Sequence, residues 1–279
     1  MFKRKTMKQK TLFHMVFKMV MLLIIICQVK NISAQGQKPQ MDMTELAKQT
    51  QNPVANMYQF PFSYLGDFNS GTTKSYISTL MVKPVVPVKL SKSLLFIFRA
   101  VIPVTFMPSP INKTGLSDIQ LQFYLSPINK SKFIWGVGPM VSVPSGIPPD
   151  MCSGKWTAGP AGAGLFMLKH LVFGALVTQR WSFAGDGSMP EVNQLYFDGF
   201  INYNFKHGWA LGYTPEIYVN WNQGGTNWNL PVGLNISKVF KLGKQPFSAN
   251  IAYFYNVIRP ENYTDMYVKA GITLLIPKK

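Results

Sequence analysis

Acidic side chains are scarce in this sequence: 11 Asp and Glu stand against 28 Lys and Arg over 279 residues, with three His and two Cys. That scarcity removes whole classes of chemistry. Neither an acid–base pair of the kind catalysis needs nor a cluster of metal ligands stands out. No catalytic, cofactor-binding or metal site is expected, and no cofactor. Charged residues of both signs make up 14% of the chain, whereas a soluble domain carries about a quarter. The outer surface is therefore expected not to face water. A long apolar run is also lacking. A membrane-spanning helix needs about 20 apolar residues, and the one candidate, residues 19–27, is short and follows Lys18.

The cations that are present are unevenly placed. Lys3, Arg4, Lys5, Lys8, Lys10, Lys18 and Lys30 all precede Ala34, with no acidic residue among them. A basic front, the apolar run 19–27 and the small residues Ser33-Ala34 read as an export signal cleaved after Ala34. A lipoprotein signal would put small residues directly before the cysteine, but Cys27 follows Ile24-Ile25-Ile26. Cleavage leaves 21 basic and 11 acidic residues, a net +10. This charge is scattered over turns and not gathered on one helix, so nucleic acid is not an expected partner. Cys152 is then left alone, which excludes an intramolecular disulfide and a thiolate metal site.

The mature chain divides into a polar segment, 35–53, and one all-β domain, 54–279. Asp42 and Glu45 have the spacing of a capping box. A short helix over 44–51 is expected, stopped by Asn52-Pro53 because the ring of Pro53 blocks its continuation. Beyond it lie segments of ten to sixteen residues rich in Val, Ile, Phe, Tyr and Trp, separated by Gly, Pro, Asn, Ser and Lys.

Within those segments apolar side chains recur every second residue, as they do where a strand shows its two faces to different surroundings. Trp209, Leu211, Tyr213, Ile217, Val219 and Trp221 share one face; Ala210, Gly212, Glu216, Asn220 and Asn222 share the other. Leu195, Phe197, Ile201, Tyr203 and Phe205 alternate with Gln194, Asp198, Asn202 and Asn204 in the same way. So do Ile119, Leu121, Phe123 and Leu125 with Asp118, Gln120 and Gln122, and Val268, Ala270, Ile272 and Leu274 with Tyr267, Lys269 and Thr273.

A soluble sandwich also alternates, but its strands average about five or six residues. The face from Trp209 to Trp221 spans roughly 40 Å, or about 30 Å across a bilayer once tilted. Connections alternate between long ones (107–115, 144–154, 184–191) and short ones (91–93, 169–170, 206–208, 243–245), the pattern of external loops and periplasmic turns. The fold expected is an antiparallel up-and-down transmembrane β-barrel of twelve strands, within a range of 10–14, in the bacterial outer membrane. Strands are expected near 54–68, 75–90, 93–108, 116–127, 133–144, 155–168, 171–183, 192–205, 209–222, 228–241, 246–258 and 265–277. Both termini then fall on the short-turn side. The terminal aromatic with which many such barrels close is missing.

Trp181, Trp209 and Trp221 are candidate interface aromatics. Lys83, Arg99, Asp118, Arg180, Asp198, Glu216 and Lys269 are in phase with the polar faces and are candidate lumen-lining residues. They either set solute selectivity or pair with one another as a structural core. His170 and His207 fall in short turns at the rim, away from any Ser nucleophile on the wall. Gly159, Gly162 and Gly164 lack the following helix that phosphate binding requires and mark a bend or a close strand approach. Pro84, Pro87, Pro103, Pro139, Pro160, Pro215 and Pro231 each remove a ladder donor. Bulges absorb such losses, or kinks open a lateral gap for hydrophobic solutes.

Several stretches carry a family resemblance. Residues 46–56 (LAKQTQNPVAN), Trp135-Gly136-Val137-Gly138-Pro139, Ser153-Gly154-Lys155-Trp156, Gly174-Ala175-Leu176-Val177, residues 239–246 (VFKLGKQP) and residues 255–260 (YNVIRP) are of this kind. Across about 44–279 the chain resembles the bacterial outer-membrane transporters grouped with the meta-pathway of phenol degradation, some of which carry the misleading label neuromedin U. The resemblance implies a barrel in the outer membrane that takes up aromatic or other hydrophobic compounds. It supplies no binding residues. The function expected is a passive channel for small solutes, hydrophobic ones among them, with outer-membrane lipid as its surroundings. The alternative is a non-conducting structural or adhesin barrel acting through its external loops.

Overall fold

A computed structural model describes residues 42–107, 112–128 and 131–277. The expected export signal, 1–34, lies outside the described residues. The first element is helix α1 (Met43–Thr50), one residue ahead of its expected start. Asp42 occupies the position before it but makes no side-chain cap. The expected capping box does not form, because Glu45 turns instead to Lys48 (2.7 Å) and Gln49 (3.2 Å). A charge-assisted partner within one helical turn outcompetes a backbone amide of the first turn.

Twelve antiparallel strands follow. They are β1 (Met57–Ser70), β2 (Ser75–Val82 and Val85–Lys89), β3 (Leu94–Met107), β4 (Lys113–Leu116 and Ile119–Pro127), β5 (Phe133–Val143) and β6 (Lys155–Met167). The chain continues through β7 (Leu171–Gly185), β8 (Asn193–Asn204), β9 (Trp209–Tyr213 and Glu216–Asn220), β10 (Leu230–Leu242), β11 (Gln245–Ile258) and β12 (Met266–Pro277). Each strand pairs with its neighbours in sequence, and β12 returns to β1, closing the barrel. Neither the first nor the last strand is therefore left as a free edge. The expected strand number and spacing are those observed.

Proline explains much of the irregularity. Lys83-Pro84 divides β2, and Thr214-Pro215 divides β9. Pro139 and Pro160 stand opposite each other in the β5–β6 ladder, and Pro231 adjoins a register shift. Gly159 sits against the Gln179 carbonyl, where a side chain would collide with backbone. This is the close strand approach inferred from the sequence. Two short 3-10 turns, Pro149–Met151 and Lys206–Gly208, also occur in the connections, where no helix is expected.

The alternation sorts the side chains as the sequence implies. Trp209 (48% exposed), Trp221 (52%) and Trp181 (47%) point outward. With them go Val137, Ile201, Leu211, Val232, Leu234, Ile236, Ile251 and Tyr253. An apolar belt this continuous far exceeds the patches tolerated on a water-facing surface and is a lipid-facing wall.

Candidate functional site

The N-terminal segment enters the barrel at the short-turn end. Leu46 and Ala47 of α1 pack with Ala55, Met57, Val239 and Leu275. Val54 reaches further in, joining inward side chains that include Val85, Leu95, Ile97, Tyr124 and Leu165. Gln51 and Asn204 exchange side-chain amide bonds at 2.9 and 3.2 Å. This segment is a plug of apolar side chains ringed by amides.

Above the plug the lumen is polar, and the seven candidate charges fall into two tiers. Asp198 and Glu216 are direct partners in the β8–β9 ladder. Facing them across the lumen, Lys269 donates to the Glu216 carboxylate, with Lys83 and Arg99 within electrostatic range of both carboxylates. Arg99 also donates to Gln122 (2.9 Å), which accepts a second bond from the Tyr124 hydroxyl (2.9 Å). Two adjacent carboxylates thus face three cations from other strands, and one ion pair crosses the lumen. In the second tier, nearer the long loops, Arg180 donates to Gln194 and feels the charge of Asp118. Asp118 itself accepts from the Ser153 amide at 3.3 and 3.2 Å, one bond to each oxygen. It therefore anchors the 144–154 loop as well as lining the wall.

The long-loop rim holds a vestibule of about 630 Å³ lined by Lys74, Thr226, Arg259, Glu261, Asn262 and Tyr263, among others. Arg259 is held there by Asp265 (2.8 Å). On the same side Lys155 binds Glu191 (2.5 Å), and Ser182 also donates to it. The Lys155 bond, with that of Ser182, holds the Glu191 carboxyl below the ordinary range. A carboxyl depressed in the folded state contributes its tie above its unfolded pKa and loses it as pH falls through the folded value. The 185–192 loop is expected to stay protected against proteolysis at mildly acid pH. Cleavage should rise only once pH drops below the usual glutamate range, and Glu191→Gln should be cleaved readily at neutral pH. Equal cleavage of both proteins across pH would refute the tie.

The feature that periodicity alone did not reveal is a break in the wall between β9 and β10. Below it, Trp209 to Gly212 pair with Lys238 to Asn235. Above it, Val219 and Trp228 form a bridge flanked by Asn220 N to Asn227 O (2.8 Å) and Asn229 N to Tyr218 O (3.3 Å). Both ladders lie in one register, yet among the described residues no ladder pair joins 213–217 to 230–234. At 3.3 Å per residue the gap is about 16 Å long.

Within that register Glu216 stands opposite Pro231, which has no N–H to give. Side chains substitute for the missing rungs. Asn229 donates from Nδ2 to the Glu216 carbonyl (3.1 Å) and accepts at Oδ1 from the Tyr218 amide (2.7 Å). The Tyr213 hydroxyl donates to the Pro231 carbonyl (2.7 Å). By alternation Tyr213 belongs with Trp209 and Leu211 on the lipid side. Its ring nevertheless packs on Phe254 (centroids 6.1 Å apart), which stacks on Tyr267 (5.1 Å) inside the barrel. One aromatic ring thus reaches across the thickness of the wall, with the buried Tyr267 hydroxyl behind it.

Neither a family model nor a curated protein matches the sequence. Among solved structures, the crystal structure of an outer membrane channel from Pseudomonas putida F1 superposes with a TM-score of 0.58 at 12% identity, covering 79% of this chain and 95% of that one. The chain is similar in fold to an outer-membrane channel. A NanC porin structure gives a TM-score of 0.48 at 14% identity over 78% of this chain and 98% of that one. The first of these shares the barrel fold. The wall break, the two charge tiers and the plug are read from this chain's own side chains.

The other sequence candidates are accounted for by position. His170 stacks on Tyr203 (5.8 Å) and His207 takes a left-handed turn conformation (φ 60°), both on the short-turn rim. Cys152 is a free thiol bonded to the Pro149 carbonyl (3.0 Å). Among the described residues no group of three metal-ligating side chains occurs.

Proposed function

We propose that the protein is a passive channel of the bacterial outer membrane that passes small, largely apolar solutes, aromatic ones among them, between lumen and bilayer through the β9–β10 break. The break itself, backed by Tyr213, Phe254 and Tyr267, is the observation that carries this reading. An apolar solute gains nothing from the charged tier on the axis, whereas aromatic rings and an apolar outer rim (Leu211, Val232, Leu234) offer it burial all the way through. The resemblance to the meta-pathway transporters supports the same solute class, and the channel named in the structural comparison supports the same compartment. Trp181, Trp209 and Trp221 serve as interface anchors, and the seven lumenal charges hold the interior in shape.

The test uses intact bacteria whose lipopolysaccharide leaflet excludes N-phenyl-1-naphthylamine, a dye fluorescent only in lipid. The wild type is expected to speed dye entry. Tyr213→Phe, which frees the Pro231 carbonyl, should speed it further by about fivefold, the worth of one net hydrogen bond. Pro215→Cys with Val232→Cys, in a Cys152→Ser background and bridged by a short bifunctional thiol reagent, should abolish entry. Each single-cysteine variant given the same reagent should retain it. Bridging without effect sinks the lateral route. A second reading, the non-conducting scaffold or adhesin, is favoured by the ion pair that crosses the lumen. It prevails if the wild type shows neither dye entry nor conductance in planar bilayers.

A further inference from the structure

Every one of the five short turns carries an exposed lysine. They are Lys92 between β2 and β3, Lys132 between β4 and β5, Lys169 between β6 and β7, Lys206 between β8 and β9, and Lys244 between β10 and β11. No acidic residue occurs in any of these turns, and among the described residues no ion pair engages any of the five. On the opposite rim some cations at the connections are paired. There Arg259 is matched by Asp265 and Lys155 by Glu191, and Asp186 and Glu261 add further negative charge.

The lysines sit directly below the lipid-facing belt. Exposed Phe133, Phe166, Phe205, Trp209 and Leu242 lie at the ends of the same strands. At that edge Lys238 stands over the Trp209 ring, 4.7 Å from its centroid, and donates to the His207 carbonyl (2.6 Å). An apolar body with a cation at its lower margin is matched by a lipid chain ending in an anionic head.

We infer that the short-turn rim is a docking surface for anionic phospholipid headgroups, resting on the membrane placement proposed above. The distribution selects this partner over a protein. A folded partner touches one arc of a rim, and cations concentrated on that arc would serve it. Lysines on all five turns encircle the rim, Lys169 and Lys206 beside a cleft that also holds Asp42 and Glu45, and what surrounds a barrel on all sides is its leaflet. Unpaired cations are also what such a surface requires, since a lysine already matched by a carboxylate has little attraction left for a phosphate. The ring thus fixes the depth of the barrel and gathers acidic lipid around the mouth that α1 occupies.

The measurement is spin-label EPR on the full mature protein in phosphatidylcholine vesicles, with chain-labelled phosphatidylglycerol or chain-labelled phosphatidylcholine as the probe. The wild type should immobilise the anionic probe about fivefold more strongly, the ratio that one lysine near an acidic headgroup sustains. Near 1 M salt, where the screening length is about 3 Å, the preference should fall toward unity. Lys92→Gln, Lys132→Gln, Lys169→Gln, Lys206→Gln and Lys244→Gln combined should remove it while the immobilised fraction of the neutral probe stays the same. Because that neutral fraction reports an inserted barrel, it separates lost selectivity from lost folding. Equal immobilisation of both probes by the wild type overturns the inference, as does an anionic preference that survives the five substitutions. Polyglutamate bound by the wild type but not the variant, with no lipid preference, overturns it in favour of an acidic protein. If neither probe is immobilised, the membrane placement itself is wrong.

Discussion

Val54→Asp is expected to unblock the short-turn mouth and raise single-channel conductance severalfold. Val54 is 2% exposed and packs among Val85, Leu95, Ile97 and Leu165. An ionised carboxylate cannot remain in such surroundings without a partner, and its desolvation costs several kcal/mol. The barrel ladder does not depend on the plug, because all twelve strands close on one another without it. The cheapest response is therefore for residues 42–56 to leave the mouth, opposed mainly by the burial of Leu46 and Ala47 and by the Gln51–Asn204 amides. Val54→Ala, which leaves a small cavity and no charge, should conduct like the wild type. If Val54→Asp inserts normally yet conducts no better, the axial path is closed higher up, at the ion pair that crosses it.

Glu216→Ala is expected to lower the stability of the inserted barrel by about 3 kcal/mol, at the low end for breaking a buried ion pair. The variant leaves Lys83, Arg99 and Lys269 facing Asp198 alone in a site that Glu216 (5% exposed) shares. Asp198 lies next to the lost carboxylate in the β8–β9 ladder, so it takes up part of the charge and keeps the loss from being larger. Lys269→Met made together with Glu216→Ala should recover most of the stability, because it removes the cation left without a partner. Urea unfolding in liposomes, followed by the mobility shift of the folded form on gels, provides the measurement. Additive losses in the double variant would mean that the two residues act independently and that no bridge joins them.

How much of this was legible beforehand depended on whether the signal was local. Strand number, facing and connection pattern follow from period two and from turn residues, both written within single segments, and the structure reproduces them. The parity that puts Lys83, Arg99, Asp118, Arg180, Asp198, Glu216 and Lys269 in phase with the polar residues of their strands was legible for the same reason. Their division into two tiers was not. It depends on which residues meet across the lumen, as Lys269 and Glu216 do from strands three apart. The capping box at Asp42 had the right spacing, but spacing cannot show that Glu45 prefers Lys48. The wall break was half legible. Pro215 and Pro231 were visible as missing donors, and a kink opening a gap was among their possible outcomes. That both fall on one seam, with Glu216 opposite Pro231, depends on the pairing register between β9 and β10. Tyr213 was assigned to the lipid side by its parity, and no pattern within its own strand could show its ring turning inward.

The seam where the chain's first and last strands meet runs through twelve consecutive pairs, from Met57 opposite Pro277 to Phe68 opposite Met266. A cylinder squeezed by the surrounding leaflet does not yield where it was joined. It yields along its least riveted line, and here that line lies between strands that were neighbours throughout synthesis. Any breathing of the wall is thereby decoupled from the joint on which assembly depends, and the molecule can part on one side without coming undone.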